Sequence, residues 1–528
     1  MVVGSSHANV KVPQANYVKY ILDTIQGFGD SIGWIDEDAN GKAYSFANIR
    51  ESILKCADSL HRDGIQSGDV IGVMSHNTPD QRILVLAAIY CGAVVYPCNH
   101  LYTQAELTRM FEIKQPDAFI VASQFVDKVN DVKGKVPEDK IYVIGESRTH
   151  KTFKQLLDNG SEKCDIMTCD DDTTILLMHS SGTTGTPKLV QVNGYALLAS
   201  LILAAYVYVT SYAVSVTIVY VVSPMFHLGS IFATHGLLVQ GSTHVLASNP
   251  TAPSMLQAVQ KYKVTNIGAL PPLLLEIVNS DVTMDYDVTS LKSVTTGGAP
   301  SSEEFKLKLR KKLNNAFVAE GYGQTEAGIL TSSNPRSAKN SQGFLVPNTT
   351  MKVVDCTTGN DVGADVYGEL RFKGPQVISR GYVGNEEANK ALFDDDGWLR
   401  TGDLGCYDNE GNVYVTGRIK DVIKYKGVQV APAELEGELH KLPGVADVAV
   451  VGVKDEVGYG GEVPKAFIVR NGDVTEDGVT RFLKDRLADY KQLRGGVVFV
   501  DKLPKTATGK IQKRKLPKLM GSLLSSRL

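Results

Sequence analysis

Short β-branched runs separated by stretches of helical periodicity recur through most of this chain, and that alternation constrains its fold more than any other feature. Val70-Ile71-Gly72-Val73-Met74 predicts a strand, and residues 81–90 a following helix. Ala118-Phe119-Ile120-Val121, Ile141-Tyr142-Val143-Ile144, Thr174-Ile175-Leu176-Leu177-Met178, Val264-Thr265-Asn266-Ile267 and Ser293-Val294-Thr295 predict further strands. Runs this apolar belong to sheets covered on both faces, so the rhythm predicts α/β architecture with doubly wound parallel sheets. At 528 residues the chain exceeds what one hydrophobic core usually supports. Near Gly417 the character changes: lysines become frequent, then come Val448-Ala449-Val450-Val451-Gly452-Val453, Ala466-Phe467-Ile468-Val469, a helix over residues 480–490, and Val497-Val498-Phe499-Val500. The expectation is a large N-terminal domain of βα sheets over 1–419 and a small α+β C-terminal domain over 420–528.

One segment invites a different reading. No Asp, Glu, Lys or Arg occurs between Lys188 and Lys261, and residues 195–222 are apolar enough to suggest a membrane-spanning helix. Thr210, Ser211, Ser215 and Thr217 interrupt the run, and the pattern changes near Tyr212. We therefore expect a buried helix over 196–205, a buried strand over 214–222 and no transmembrane span. The missing charge also suits an apolar pocket wall.

Net charge is −3, which argues against a nucleic-acid partner. The basic stretches at 306–312 and 510–518 read as solvated faces. Seven cysteines (Cys56, Cys91, Cys98, Cys164, Cys169, Cys356, Cys406) lack ligand spacing, so reduced intracellular thiols are expected rather than a structural zinc. The first residues carry no secretory pattern, and Gly4 is misplaced for myristoylation. Ser526-Arg527-Leu528 is a variant of the Ser-Lys-Leu address, which predicts a peroxisomal protein recognised by the import receptor.

The chemistry concentrates in a few motifs. Ser180-Ser181-Gly182-Thr183-Thr184-Gly185-Thr186-Pro187-Lys188 follows a predicted strand, and its exposed N–H groups, hydroxyls and lysine are equipment for cradling a polyphosphate. It is not a Walker loop, because Gly182 and Gly185 are too close and Pro187 precedes Lys188. Downstream stand Pro224-Met225-Phe226-His227, Gly297-Gly298-Ala299-Pro300, Gly321-Tyr322-Gly323-Gln324-Thr325-Glu326, Trp398-Leu399-Arg400-Thr401-Gly402-Asp403, Gly417-Arg418-Ile419-Lys420-Asp421, Lys424-Tyr425-Lys426-Gly427 and Pro504-Lys505-Thr506-Ala507-Thr508-Gly509-Lys510. Singly, each has an ordinary reading: a core histidine, a turn opening a helix at 321–326, a solvated Asp–Arg pair, surface lysines.

In this order, over roughly residues 170–516, the motifs resemble the superfamily of acyl-CoA synthetases, 4-coumarate–CoA ligases, beetle luciferases and peptide-synthetase adenylation domains. The resemblance implies ATP, Mg²⁺ and coenzyme A as partners of a small-molecule carboxylic acid, and a small domain that rotates about a hinge at Lys420. By the same resemblance Ser180, Ser181, Gly182, Thr183, Thr184, Gly185 and Lys188 hold the phosphates, and Gly298, Ala299 and Pro300 lie along adenine. Tyr322, between Gly321 and Gly323, stacks on adenine; Thr325 meets the α-phosphate; Glu326, with Thr184, holds Mg²⁺. Asp403 and Arg418 take the ribose, His227 the acid's carboxylate, and Lys510 the adenylation step. Lys424, Lys426, Gly427 and Gln429 serve the thioester step. The implied enzyme is an AMP-forming ligase of fatty or aryl acids. The alternative is a luciferase-like monooxygenase, which His227-Leu228-Gly229-Ser230, Glu326-Ala327-Gly328-Ile329-Leu330 and the absence of an arginine in the charge-free segment disfavour.

Overall fold

In the computed structural model, the residues described are 1–130, 136–164, 172–180, 188–212, 217–269, 271–297, 301, 303–378, 380–425, 428–454, 462–484, 486–506 and 510–517. Two large sheets carry the expected parallel rhythm. One runs in the order Lys188–Asn193, Thr174–Ser180, Val94–Pro97, Val70–Met74, Ala118–Ala122, Ile141–Ile144, Lys151–Thr152. Its neighbours pair in parallel except for the antiparallel 188–193 and 174–180 strands. The second has Ile32–Asp36, Thr243–Leu246, Ile218–Val221, Asn266–Gly268, Ser293–Gly297 and Phe317–Gln324 as successive parallel neighbours, with antiparallel strands at both edges. Strands such as Val70–Met74 and Ala118–Ala122 are buried along their whole length, as covered parallel sheets require.

The third sheet was not legible in the sequence. Val2–Gly4, Thr350–Val354, Gly368–Lys373, Leu399–Tyr407 and Val413–Arg418 pair antiparallel, with Asp361–Val362 on the flank of 350–354. The C-terminal residues form a mixed sheet of Val445–Lys454, Glu462–Arg470 and Val497–Phe499, beside a hairpin of Ile423–Tyr425 and Val428–Val430. Val448 and Val450 enter one core with Leu435 and Leu483, while Ala449 and Val451 enter another with Phe467 and Leu516. That is the two-residue period of a strand covered on both faces.

Several expectations shift. The strand expected at 264–267 is Asn266–Gly268. The helix expected at 480–490 is Glu476–Lys484, begun early because the Thr475 hydroxyl accepts from Gly478 N–H at 3.2 Å; a separate turn at Asp489–Lys491 follows. The charge-free segment forms a helix at Gly194–Tyr212 and a strand at Ile218–Val221. Among the described residues no helix is long and apolar enough to cross a membrane. The turn reading of 321–326 is corrected in part: the motif ends a strand, Phe317–Gln324, and hairpins into Gly328–Ser332 rather than opening a helix.

The solvated-face reading of 306–312 fails at one residue. Lys306, on the Glu303–Lys312 helix, is buried, and its Nζ lies 2.7 Å from the buried Glu320 carboxylate. Glu320 also accepts from Ser301 N–H at 3.1 Å, so this pair anchors the strand that delivers Gly321 and Tyr322. Breaking a buried pair from one side strands the other charge. Lys306→Met is therefore expected to cost about 3–5 kcal/mol in urea unfolding. Lys308→Met, which removes an exposed partner of Glu304, is expected to cost about 0–1 kcal/mol.

Candidate active site

Three sheets meet around the motif residues. Ser180 ends one strand and Lys188 begins the next, and the two are direct antiparallel partners. The loop they close, with Ser181, Gly182, Thr183, Thr184 and Gly185, lies outside the described residues, as do Gly298, Ala299 and Pro300. Lys188 Nζ sits 4.7 Å above the Tyr382 ring, and the Tyr382 hydroxyl donates to Glu326 Oε1 at 2.9 Å. The phosphate-loop lysine and the motif glutamate are thereby joined through one aromatic side chain.

Gly297 pairs with Gly321 in parallel register, so the two glycine motifs emerge side by side at the ends of adjacent strands. Ligands of open α/β sheets bind beyond such strand ends. The hairpin behind Tyr322 is tight: Gly328 has φ +57°, and a Cβ there would overlap the Ser200 hydroxyl. Thr325 lies in this turn, half-buried, and Glu326 beside it is buried.

The centre of the arrangement is Asp403, which is buried. Tyr322 donates its hydroxyl to Oδ2 at 2.6 Å, Gln324 donates Nε2 to the same oxygen at 2.5 Å, and Arg418 Nε lies 2.9 Å from Oδ1. Arg418 also donates Nη1 to Thr401 O at 2.9 Å. Asp403 and Arg418 are register partners on adjacent strands, so backbone pairing sets their side chains together. Burial raises the Tyr322 pKa, and the Asp403 charge adds to the rise, which keeps the hydroxyl a donor. The solvated-turn reading of Asp403 and Arg418 does not hold.

The C-terminal residues reach this cluster. Lys510 is held in a turn where its carbonyl accepts from Thr506 N–H at 2.8 Å and its N–H donates to the Thr506 hydroxyl at 3.1 Å. Its side chain keeps access to solvent, yet surrounding protein lowers its pKa; Arg418 adds to the lowering, while Asp403 and Asp421 oppose it. Lys420 behaves alike. Burial brings it down to about 8, with Arg514, Arg418 and Lys188 adding repulsion and Asp421 opposing. Lys188, Tyr322, Glu326, Asp403, Arg418, Lys420 and Lys510 thus belong to one neighbourhood.

Three expected residues sit on other elements. His227 is the N-cap of the Leu228–Leu238 helix, half-buried, with its ring 4.7 Å from that of Phe226. Burial drives its pKa down to about 4, so it is neutral near pH 7, and its Nε2 has no partner among the described residues. Lys424 and Gln429 are backbone partners in the 423–425/428–430 hairpin of the C-terminal unit. Lys426 and Gly427 lie outside the described residues. Tyr382 and Gln324 were not singled out from the sequence. Gln324 sat inside a quoted motif as filler, and Tyr382 follows Arg380-Gly381, a glycine turn whose aromatic residue was the available signal.

A buried carboxylate fenced by donors, a polyphosphate-type loop and two lysines of lowered pKa define a nucleotide-dependent, adenylate-forming enzyme. The family of AMP-binding enzymes matches residues 23–383, and the AMP-binding enzyme C-terminal domain matches 434–510, so the chain belongs to the AMP-binding enzymes. It is similar to 4-coumarate–CoA ligase 2 of Nicotiana tabacum, 35% identical over 90% of each chain. It is also similar to luciferin 4-monooxygenase of Photinus pyralis, 33% identical over 90% of this chain and 89% of that one. In fold it resembles the anthranilate CoA ligase AuaEII bound to anthranoyl-AMP (TM-score 0.87, 22% identity, 98% and 99% coverage). The same holds for ATP-bound MatB of Rhodopseudomonas palustris (TM-score 0.86, 24% identity, 96% and 99% coverage). Within the family it is an AMP-forming acid–thiol ligase in class.

The lowered lysine gives a direct check. Lys420 is exposed, so amine-reactive labelling followed by mass spectrometry is expected to show a reactivity midpoint near pH 8. Arg514→Ala removes a repelling cation and is expected to move that midpoint upward.

Proposed function

We propose that the protein joins an aryl or fatty acid to coenzyme A at the expense of ATP, through an acyl adenylate. The observation that carries this reading is the meeting of Lys510, from the C-terminal unit, with Asp403 and Arg418 of the large unit. The acid's carboxylate oxygen attacks the α-phosphorus of ATP, the bond to the bridging oxygen breaks, and pyrophosphate leaves. Thr183, Thr184 and Lys188 hold the departing phosphates. Asp403 and Arg418 take the ribose, Tyr322 the adenine face, and Thr325 the α-phosphate. Lys510 stabilises the charge that develops between carboxylate and phosphate, a contribution typically of ~10²–10³ in rate. His227, neutral near pH 7, offers one N–H to the acid.

Glu326 fits a hard cation. Its hydrogen bond to Tyr382 engages Oε1 and leaves Oε2 as the kind of oxygen ligand Mg²⁺ takes. Glu326 and Thr184 would hold such an ion, which would supply neutralisation of phosphate charge. Among the described residues no group of three or more His, Cys, Asp or Glu side chains could hold a metal ion.

In the second half-reaction the C-terminal unit, residues 420–528, turns about Lys420. Lys510 withdraws and the hairpin of Lys424, Lys426, Gly427 and Gln429 approaches. The coenzyme A thiolate attacks the acyl carbonyl and AMP leaves. Support for an apolar acid comes from the uncharged wall of residues 189–260 and from open space at two glycines. A Cβ on Gly268 would meet nothing within 4 Å, and one on the exposed Gly229 only Phe232 at 4.0 Å. An aryl acid is favoured because relatives at 35% and 33% identity are ligases of 4-coumarate. The luciferase reading rests on a relative at 33% identity. Light emission with luciferin, ATP and oxygen would replace the ligase by that reading. Ser526-Arg527-Leu528 directs the enzyme to the peroxisome, and a fluorescent fusion lacking those three residues is expected to stay in the cytosol.

Lys510→Ala is expected to slow pyrophosphate release about 10²-fold while thioester formation from supplied acyl adenylate survives. Equal loss of both half-reactions would overturn the division of labour. A pyrophosphate-release screen across cinnamate-type, medium-chain and long-chain acids, with and without coenzyme A, assigns the acid.

A further inference from the structure

The core where the two parallel sheets meet contains a charge that nothing described balances. Arg82, on the helix Pro79–Tyr90, is fully buried. Nη1 donates to the Thr234 hydroxyl at 3.0 Å, but Nε and Nη2 have no hydrogen-bond partner among the described residues. Among the described residues no carboxylate acts on it: burial lowers its pKa, to about 10, so the guanidinium remains charged near pH 7. A buried guanidinium normally comes with an acid.

Its neighbours also carry buried polar atoms without partners among the described residues. His235 follows Thr234 on the helix Leu228–Leu238, and its Nδ1 is 2.7 Å from the Tyr17 hydroxyl. With that hydroxyl donating, the ring's hydrogen sits on Nε2, which has no partner among the described residues. His244 is in register with Trp34 on adjacent strands, and Trp34 Nε1 is likewise buried and unpartnered. Both point away from the core that holds Val245: Trp34, Tyr17 and Leu246 share the other cluster, where the Arg82 helix packs. The helix Pro79–Tyr90 packs on both the Ile32–Asp36 strand and the helix Tyr17–Ile25. Arg82 lowers the pKa of both histidines, adding to the effect of burial. His235 is brought to about 3, so neither ring competes as a second charge near neutral pH.

The group is therefore one permanent cation, an indole N–H and neutral imidazoles; His244, with neither ring nitrogen partnered among the described residues, brings one acceptor, and the other free groups are donors. A water molecule needs acceptors for its own hydrogens; a small anion needs donors alone and neutralises the guanidinium. We propose that Arg82, Trp34 and His235 enclose a binding site for a single small inorganic anion of the halide class, which completes the core between the two parallel sheets. Thr234 is two turns along the helix that His227 caps, so the anion fixes the helix whose N-terminus faces the acid.

The test uses the whole protein. Crystals of the wild type grown in bromide are expected to show an anomalous peak bounded by Arg82 Nε and Nη2 and by Trp34 Nε1. Electron density with no anomalous signal there overturns the proposal. In solution the melting temperature is expected to rise as chloride replaces gluconate at constant ionic strength, because a ligand of the native state stabilises it by mass action. Arg82→Leu removes the charge and is expected to abolish that rise. An equal rise in the variant overturns the proposal, and if the variant does not fold the bromide peak in the wild type still decides.

Discussion

The Asp403 carboxylate is the interaction on which the site depends. It is buried, and a buried carboxylate survives only with donors around it. Those donors come from two directions: Tyr322 and Gln324 from the end of the parallel sheet, Arg418 from the next strand of the antiparallel sheet. One charge thus ties together two sheets that share no strand. The Lys188–Tyr382–Glu326 chain does the same for the sheet carrying the phosphate loop. Each link is polar and partly open to the cleft, so an arriving ribose or phosphate can replace a partner without emptying the core.

Much of this was legible in the sequence, for a reason that can be stated. Strands buried on both faces are written as apolar runs, so Val70–Met74 and Ile141–Ile144 were placed with correct bounds. The antiparallel sheet was not, because half of Gly368–Lys373 and all of Val413–Arg418 after its first residue are only partly buried, and Glu369, Arg371 and Thr416 stand among the apolar residues. Yet that sheet sets Asp403 opposite Arg418. Motif order located the pair; no local pattern revealed the strands that bring them together. Lys306 shows the opposite failure: four lysines and an arginine within residues 306–312 read as surface, and only the long-range strand carrying Glu320 explains why one is buried.

The site also shows why the two units need one another. Lys188, Arg418, Lys420 and Lys510 gather in one cleft; burial lowers the pKa values of Lys420 and Lys510, and repulsion from Arg418 adds to the lowering of both. Asp403 and Asp421 offset part of this. Cations held together at this density are costly until a polyanion arrives, so the cleft is preorganised for phosphate charge rather than built around it afterwards.

That repulsion also bears on motion. Lys510 hangs from a turn secured by two hydrogen bonds to Thr506, and Lys420 stands at the start of the C-terminal unit. In the proposed reaction the phosphates of bound ATP would hold both lysines near Arg418 and Lys188. Once pyrophosphate has left, negative charge at the cleft falls sharply, and the same cations that favoured closure now oppose it. On that proposal the leaving of the first product would weaken the contact that positions Lys510, the change that the proposed rotation about Lys420 would require. A single electrostatic arrangement can thus promote the first chemical step and then release the unit that performed it.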